Sequence, residues 1–324
     1  MSAPVIAVED LRTHIVTRWG TIKAVDGVSF AVGEGETLGL VGESGSGKSM
    51  TCLSVLRLVP RPAARIVGGR VRLDGEDLLQ KSAREMQRIR GKRVAMILQD
   101  PMSSLNPVFS VGMQVREPLI SYHGLAGRAL RDRAVELLGS VGISSPAARL
   151  RAFPHQLSGG MRQRVVGAMA ISGPPRLLIA DEPTTSLDLT IQAQYLRLLK
   201  DLQTRHRLAM IFVTHNLGIV AKMCDRVAVM YAGRIVEAGP VEALFRTPRH
   251  PYTRALLESV PRLSESTDWL TAIEGQPPDL AALPPGCAFA PRCPRVMERC
   301  RAEEPPEFTP AAGRSSRCWL EAPA

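Results

Sequence analysis

Four short runs of apolar residues mark this chain, and each is followed at once by polar or glycine-rich sequence. The runs are residues 37–41, 94–98, 177–180 and 210–213. Apolar runs of this length are typical of strands that are buried on both faces of a parallel sheet. Segments 128–141 and 190–204 carry instead the apolar spacing of helices. The pattern predicts an α/β fold whose polar residues lie at the carboxyl ends of the strands, where open parallel sheets place their ligand sites.

The first run leads into the sequence GESGSGKS and then into a helical pattern. A glycine-rich turn between a buried strand and a helix is the setting of a phosphate-binding P-loop, because backbone N–H groups at a helix N-terminus attract phosphate oxygens. Lys48 would reach the β- and γ-phosphates, and the Ser49 hydroxyl would be a ligand of Mg²⁺. The alternative, a Gly/Ser turn with an incidental lysine, is disfavoured by this context. The predicted nucleotide contacts here are Gly42, Glu43, Ser44, Gly45, Ser46, Gly47, Lys48, Ser49 and Met50.

The run at 177–180 delivers two adjacent carboxylates, Asp181 and Glu182, at its carboxyl end. Asp181 would hold Mg²⁺ through water, and Glu182 would orient or deprotonate the attacking water. Both roles suit phosphoryl transfer, which depends mainly on positioning and charge stabilisation. A solvated acidic turn is the alternative, and the wholly apolar strand before it disfavours that interpretation.

The sequence LSGGMRQR, residues 157–164, places glycines before another helical pattern. Together with GESGSGKS and LLIADEP it resembles the ATP-binding cassette ATPases, over roughly the first four-fifths of the chain. In that family the signature sequence of one subunit caps the ATP held on the P-loop of the facing subunit. The resemblance therefore implies that Ser158, Gly159 and Gly160 act in trans. From the residues alone, an ordinary helix capped by Ser158 stays open.

The same resemblance implies roles for residues near the ends of other predicted strands. Gln99 would sense Mg²⁺ and the lytic water, and His215 would contact the γ-phosphate. Residues 186–188, Ser-Leu-Asp, would link the two ATP sites of a dimer through Asp188. Trp19, upstream of the P-loop, would stack on adenine, with a buried structural tryptophan as the competing interpretation.

A formal net charge of +10 is compatible with binding to nucleic acid or to the anionic face of a membrane. The basic residues are scattered, and their densest group, residues 81–93, fits a solvated helix face. The sequence has no helix-turn-helix, finger or RNA-binding signature, so nucleic acid is not an expected partner. It also has no apolar run of membrane-spanning length and no signal-peptide pattern near its start. We therefore expect a cytoplasmic protein.

Residues 261–324 differ from the rest of the 324-residue chain: prolines recur, apolar periodicity fades, and four of the six cysteines gather there. A unit with little core usually needs a covalent or metal staple, and a cytoplasmic location argues against disulfides. A [4Fe–4S] cluster, a zinc ion and uncoordinated thiols all stay open, although the spacing is unlike the paired spacing of zinc sites. The candidate ligands are Cys287, Cys293, Cys300 and Cys318.

The patterns and the resemblance together predict a P-loop NTPase (RecA-like) α/β core with an N-terminal antiparallel β segment. A helical subdomain would be inserted at about residues 100–165, and the small cysteine-rich extension would follow. We expect an ATPase domain over residues 1–260 and a separate extension over 261–324.

The sequences HPYTRALLESVPRL and CAFAPRCPRVMERC resemble the oligopeptide/dipeptide branch of the cassette family, some members of which bind a [4Fe–4S] cluster. The resemblance implies an ATP- and Mg²⁺-dependent ATPase subunit of a peptide importer, on the cytoplasmic face of the cell membrane. Its partners would be a second ATPase subunit, two permeases and, indirectly, a substrate-binding protein. We expect a heterodimer, with a homodimer as the alternative. An importer of nickel, opine or glutathione and a soluble redox-regulated ATPase are the competing functions.

Overall fold

The computed structural model describes residues 3–98, 104–185, 187–260 and 272–322. The chain divides into two compact units. The first, here the helical unit, comprises Val32–Glu36 and Gln80–Phe212 together with the chain up to Ile6. The second, here the P-loop unit, comprises Ala7–Ala31, Thr37–Leu79 and the chain from Val213 onward.

The described strands are numbered in chain order. They are β1 (Ile6–Thr17), β2 (Gly20–Val32), β3 (Thr37–Val41), β4 (Ala64–Leu73), β5 (Glu76–Asp77), β6 (Val94–Ile97), β7 (Leu177–Asp181), β8 (Ala209–Val213), β9 (Arg226–Tyr231), β10 (Arg234–Pro240), β11 (Phe308–Ala311) and β12 (Arg314–Ser316).

The α-helices are numbered in the same way. They are α1 (Lys48–Val55), α2 (Ala83–Ile89), α3 (Val111–His123), α4 (Gly127–Ser140), α5 (Pro146–Arg149), α6 (Gly159–Ile171), α7 (Leu189–His206), α8 (Leu217–Met223), α9 (Val241–Arg246), α10 (Pro251–Glu258) and α11 (Glu298–Ala302).

The P-loop unit contains two groups of paired strands. One is a four-stranded sheet in the order β2-β1-β4-β5, in which β1 and β2 form the β segment predicted near the N-terminus, whereas β4 and β5 follow α1 in the chain. The other has the order β11-β12-β10-β9-β3. Strands β3 and β9 are parallel, with Leu40 opposite Ala228, whereas β10 pairs antiparallel with both β9 and β12. Every residue of β3 is buried, as its unbroken apolar run predicted.

The helical unit combines a small parallel sheet with the inserted helices. Its strands have the order β8-β7-β6, and β6 and β7 are parallel with Val94 opposite Leu177. Helices α3 and α4 pack against each other and against α6, and α6 also packs against α7. The apolar runs predicted as strands are strands, and the segment predicted as a helix from 190 to 204 is part of α7.

The cysteine-rich extension continues a sheet of the P-loop unit. Strand β12 pairs with β10, with Ser316 opposite Glu237, and β11 pairs with β12. The boundary predicted at residue 261 stays a prediction, because residues 261–271 lie outside the described part of the chain.

A buried ion pair fastens this added strand. The Arg314 guanidinium donates to Glu237 at 3.2 Å, and the two side chains are 9% and 1% exposed. Arg314 also donates to the hydroxyl and the carbonyl oxygen of Thr247, at 2.9 and 2.6 Å. Glu237 accepts the backbone N–H groups of Arg249 and His250. These bonds compensate the burial of both charges, which would otherwise be strongly unfavourable.

Replacing Arg314 with Ala should lower the free energy of unfolding by about 3 kcal/mol, because it leaves the buried Glu237 carboxylate without its cation. The matched control is Arg246→Ala, which breaks the exposed pair with Glu242, where the side chains are 77% and 76% exposed. That control should change stability by less than about 1 kcal/mol. Urea unfolding of both variants measures the difference, and equal effects would contradict an anchoring role for Arg314.

Candidate nucleotide-binding site

The P-loop follows β3, and its backbone packs closely against other segments of the same chain. Gly42 has φ +149°, and a Cβ built there would lie 2.2 Å from the carbonyl oxygen of Met230. Gly47 has φ +104°, and its Cβ would lie 2.3 Å from the carbonyl oxygen of Ala24. Neither position accepts a side chain, so these two glycines are required by both backbone conformation and close packing. Gly45 also has a positive φ, but its Cβ would meet nothing within 4 Å.

Lys48 begins helix α1 and folds back over the loop. Its Nζ donates to the carbonyl oxygens of Gly42 and Glu43, both at 2.8 Å, and to the Ser46 hydroxyl at 3.3 Å. Lys48 is 6% exposed and Ser46 is 4% exposed. The ammonium group therefore lies within the turn of the loop, close to the N-terminus of α1, as a phosphate-binding lysine requires.

An aromatic cluster supports the loop in the same unit. The Tyr252 hydroxyl accepts the backbone N–H of Glu43 at 2.8 Å, and the Tyr252 ring lies 4.6 Å from that of Tyr231 and 5.4 Å from that of Phe289. Burial raises the pKa of Tyr252, so its hydroxyl stays protonated. His250 adjoins the cluster, and burial lowers its pKa to about 4, so its imidazole is neutral and its Nδ1 accepts the N–H of Tyr252.

His215 lies just beyond β8 and is exposed. The N–H of the preceding residue, Thr214, donates to the carbonyl oxygen of Leu40 in β3 at 3.4 Å. This segment therefore lies beside the strand that leads into the P-loop. Trp19 lies between β1 and β2, 80% exposed, with the Arg18 guanidinium 4.6 Å from its ring centre. The competing interpretation of Trp19 as a buried structural residue is therefore wrong.

The helical unit holds the predicted carboxylates. Asp181 is the last residue of β7 and is 4% exposed. Glu182 follows with φ +44°, a left-handed conformation that is uncommon outside glycine and turns the chain sharply at the strand end. Its carboxylate accepts the Thr185 hydroxyl at 3.0 Å. The sequence therefore places one buried and one half-buried carboxylate side by side.

The signature helix α6 begins in the same unit. The Ser158 hydroxyl accepts the Met161 N–H at 3.3 Å, so this residue is an N-cap, as the local interpretation predicted. A Cβ at Gly160 would lie 2.5 Å from Ile191, whereas Gly159 faces open space. Asp188 caps α7 by accepting the N–H groups of Thr190 and Ile191 at 3.1 and 3.0 Å. The starts of α6 and α7 therefore pack together.

Sequence reasoning missed one member of this arrangement. Gln163, inside LSGGMRQR, is 1% exposed and donates to the carbonyl oxygen of Pro183, directly after Glu182. The signature helix thus holds the chain that carries the predicted general base. A polar residue on an otherwise apolar face of α6 was the available signal. The predicted Gln99 and Ser186 lie outside the described residues.

The four cysteines of the extension lie near one another. The backbone N–H of Cys287 donates to the carbonyl oxygen of Cys300 at 2.8 Å, and Cys300 and Cys318 are each 8% exposed. Burial raises the pKa of Cys318 to about 11, and the charges of the other three thiols add to this shift. Among the described residues, however, no group of three or more His, Cys, Asp or Glu side chains is arranged to hold a metal ion. The thiols gather, but their present arrangement does not fit a bound cluster.

A groove of about 420 Å³ lies in the helical unit at the start of α3. Met113, which lines the groove, is 57% exposed, and the nearby Val108 and Phe109 are 74% and 44% exposed. The lining residues are Ser110, Gly112, Met113, Arg116, Arg131, Ala147, Leu150 and Arg151. The surface therefore combines apolar contact area with positive charge, a composition typical of protein interfaces.

Comparison with known proteins agrees with this geometry. The family described as "ABC transporter" matches residues 25–185, and "Oligopeptide/dipeptide transporter, C-terminal region" matches residues 236–300. The oligopeptide transport ATP-binding protein OppD of Bacillus subtilis is 50% identical over 316 residues, which cover 97% of this chain and 88% of OppD. The chain belongs to the ATP-binding cassette family. The dipeptide transport ATP-binding protein DppD of the same organism is 47% identical, with 98% of this chain and 95% of DppD covered.

Solved structures of cassette proteins share the fold. The dimeric post-hydrolysis state of the cassette MJ0796 bound to ADP and Pi has a TM-score of 0.65 at 25% identity, covering 73% of this chain and 98% of that one. CbiO1 from Clostridium perfringens, part of the transporter complex cbiONQ, has a TM-score of 0.65 at 26% identity, covering 76% and 92%. This cassette protein has no helix, within the residues that the structure describes, that is long and apolar enough to cross a bilayer.

Proposed function

We propose that this chain is the ATP-hydrolysing subunit of an importer for di- or oligopeptides. The observation that carries the proposal is the match to peptide-transport ATP-binding proteins along almost the whole chain, including the C-terminal region that characterises that branch. The geometry of the P-loop supports the ATPase part, because Lys48 and the two sterically required glycines form a phosphate cradle at the start of α1.

In the proposed mechanism each residue performs one task. The P-loop N–H groups and Lys48 bind the β- and γ-phosphates, and His215 contacts the γ-phosphate. Glu182 orients the attacking water and accepts its proton, while the Thr185 hydroxyl holds one oxygen of that carboxylate. Adenine stacks on the exposed ring of Trp19.

The hydroxyl of Ser49 and the carboxylate of Asp181 fit Mg²⁺, because hard oxygen ligands are those that this ion prefers. When bound, Mg²⁺ would neutralise charge on the phosphates during transfer. Gln99 belongs to the same proposed set.

Two cassettes are proposed to enclose the nucleotide between them. The exposed residues Ser158 and Gly159 at the start of α6 would meet ATP held by the partner, and Asp188 would lie at the same interface. The dimeric cassette structures support this assembly. We propose a different ATPase chain as the partner, and a peripheral position on the cytoplasmic face of the membrane, beneath two permeases that a substrate-binding protein supplies.

The groove at the start of α3 is the proposed permease contact. The exposed Met113 and the arginines of the groove, together with the nearby Val108 and Phe109, would receive a short cytoplasmic helix of the permease.

The extension is proposed to assemble a [4Fe–4S] cluster on Cys287, Cys293, Cys300 and Cys318. The supporting observation is that the four cysteines lie near one another in the extension, where the backbone N–H of Cys287 donates to the carbonyl oxygen of Cys300 at 2.8 Å. Assembly requires the thiols to lose their protons and turn toward a common centre, because their described arrangement is not that of a metal site.

Replacing Glu182 with Gln should reduce ATP turnover at least about 100-fold and leave ATP binding intact, because the amide keeps the shape but accepts no proton. The variant should also accumulate an ATP-dependent dimer in sedimentation experiments. The matched control, Glu136→Gln, changes an exposed carboxylate on α4 and should keep the wild-type rate. A rate for Glu182→Gln within about threefold of wild type would overturn its assigned role.

Replacing Met113 with Glu should abolish co-purification of the subunit with co-expressed permease subunits, because a charge is then forced into an apolar contact. The ATPase rate of the isolated subunit should stay within about twofold of wild type, because the Met113 side chain is exposed on α3 and is none of the proposed nucleotide contacts. Val16→Glu, at another exposed apolar position, is the control and should retain the permeases. Retention by both variants would place the permease contact elsewhere.

Protein purified without oxygen should contain about four iron and four sulfide ions per chain and absorb broadly near 400 nm. Cys293→Ser should lose the iron, and Cys224→Ala, at a buried position outside the extension, should keep it. Stoichiometric zinc, or protein without metal, would refute the cluster and leave the ATPase proposal unaffected.

A further inference from the structure

One residue of the extension reaches the P-loop. Arg292 immediately precedes Cys293 and ends a short 3₁₀ turn, Ala290–Arg292. Its two terminal nitrogens donate to the two carboxylate oxygens of Glu43 at 2.7 and 3.0 Å, which is the parallel fork of a bidentate pair. The two residues are 249 positions apart in the chain.

The guanidinium group is completely engaged. Its Nε donates to the carbonyl oxygen of Glu274 at 2.9 Å, and its terminal nitrogens also donate to the Tyr231 hydroxyl at 3.3 Å and to the carbonyl oxygen of Ile273 at 3.2 Å. Every N–H donor of the group therefore has an acceptor, and the side chain is 3% exposed. The ring centres of Tyr231 and Phe289 each lie 5.9 Å from it. Such a group has little freedom to move.

Glu43 is fixed at three points as a result. Arg292 holds its carboxylate, the Tyr252 hydroxyl accepts its N–H, and its carbonyl oxygen accepts Lys48 Nζ at 2.8 Å. The carbonyl oxygen also accepts the N–H of Ser46 at 3.2 Å. The restraint on the side chain is thereby passed to the lysine and to the turn of the loop.

We propose that Arg292 is a positioning residue for nucleotide binding, which acts through Glu43 to hold the P-loop in its binding conformation. The inference rests on the proposed function, since it takes the P-loop as the ATP site. Its consequence is that ATP affinity depends on the cysteine-rich extension, although the nucleotide motifs lie far away in the sequence. Without Arg292 the loop would have to be ordered when ATP binds, which weakens binding without changing the hydrolytic step.

A double-mutant cycle on the full chain tests the proposal, with the dissociation constant of ATP as the readout. Arg292→Ala should weaken binding about tenfold when Glu43 is present. In a Glu43→Ala background the same change should have less than about a twofold effect, because the interaction is already absent. For Arg292→Ala, turnover at saturating ATP should stay within about twofold of wild type. Its KM should therefore rise while its kcat does not.

Three further variants make the outcome decisive. Arg301→Ala, an exposed arginine of the extension, should bind ATP as the wild type does. Arg292→Lys keeps the charge without the fork, and its affinity should lie between those of wild type and Arg292→Ala. This variant replaces Arg292→Ala if the latter fails to fold in circular dichroism. Lys48→Ala should lose binding altogether.

An unchanged dissociation constant for Arg292→Ala, or an equal effect in both backgrounds, would overturn the positioning role. If the wild-type protein bound no ATP, the proposed nucleotide site itself would be wrong. That result differs from one in which the wild-type protein binds ATP but the effects of the Arg292 and Glu43 substitutions are additive.

Discussion

The P-loop backbone packs closely against Met230 of β9 and Ala24 of β2, and the shape of the nucleotide site follows from this packing. Added Cβ atoms at Gly42 and Gly47 would lie 2.2 and 2.3 Å from backbone carbonyl oxygens, so no side chain fits at either position. The pairing of β3 with β9 brings Gly42 to Met230, because the register places Val41 opposite Val229, whereas Gly47 lies against Ala24 of β2. The sheet therefore fixes where the loop begins, and the loop can turn its N–H groups inward only because glycine tolerates the required dihedral angles.

Each unit places polar groups at the end of a buried strand, but the two units use different residues to do so. In the P-loop unit, a lysine and backbone N–H groups gather at the start of α1. In the helical unit, a strand ends at two adjacent carboxylates, of which Glu182 accepts the Thr185 hydroxyl, and Gln163 donates to the carbonyl oxygen of the next residue, Pro183. Each arrangement places polar groups at the end of a wholly buried strand, where the chain must turn and the backbone is accessible to a ligand. A cassette ATPase needs both, and the family comparison agrees with that combination.

The extension contains the four clustered cysteines, and it also adds strands to the sheet and residues that contact the P-loop. Strand β12 pairs with β10, and the buried Arg314–Glu237 pair secures it. Phe289 packs against both Tyr231 and Tyr252, and the Tyr252 hydroxyl accepts the N–H of Glu43. These contacts connect the extension to the P-loop. The connection does not depend on whether the thiols of the extension bind a metal.

The local features of this protein can be predicted from short stretches of its chain. Buried strands follow from unbroken apolar runs, and the P-loop, signature and paired carboxylates follow from short motifs whose chemistry needs only adjacent residues. The boundaries also came close, as for α7, which extends the predicted segment to Leu189–His206. The long-range contacts could not be predicted in this way: Arg292 holds Glu43, Gln163 holds Pro183, and the extension adds strands to an existing sheet. The physical reason is that periodicity and propensity act over a few residues, whereas an ion pair between residues 249 positions apart depends on how the whole chain packs.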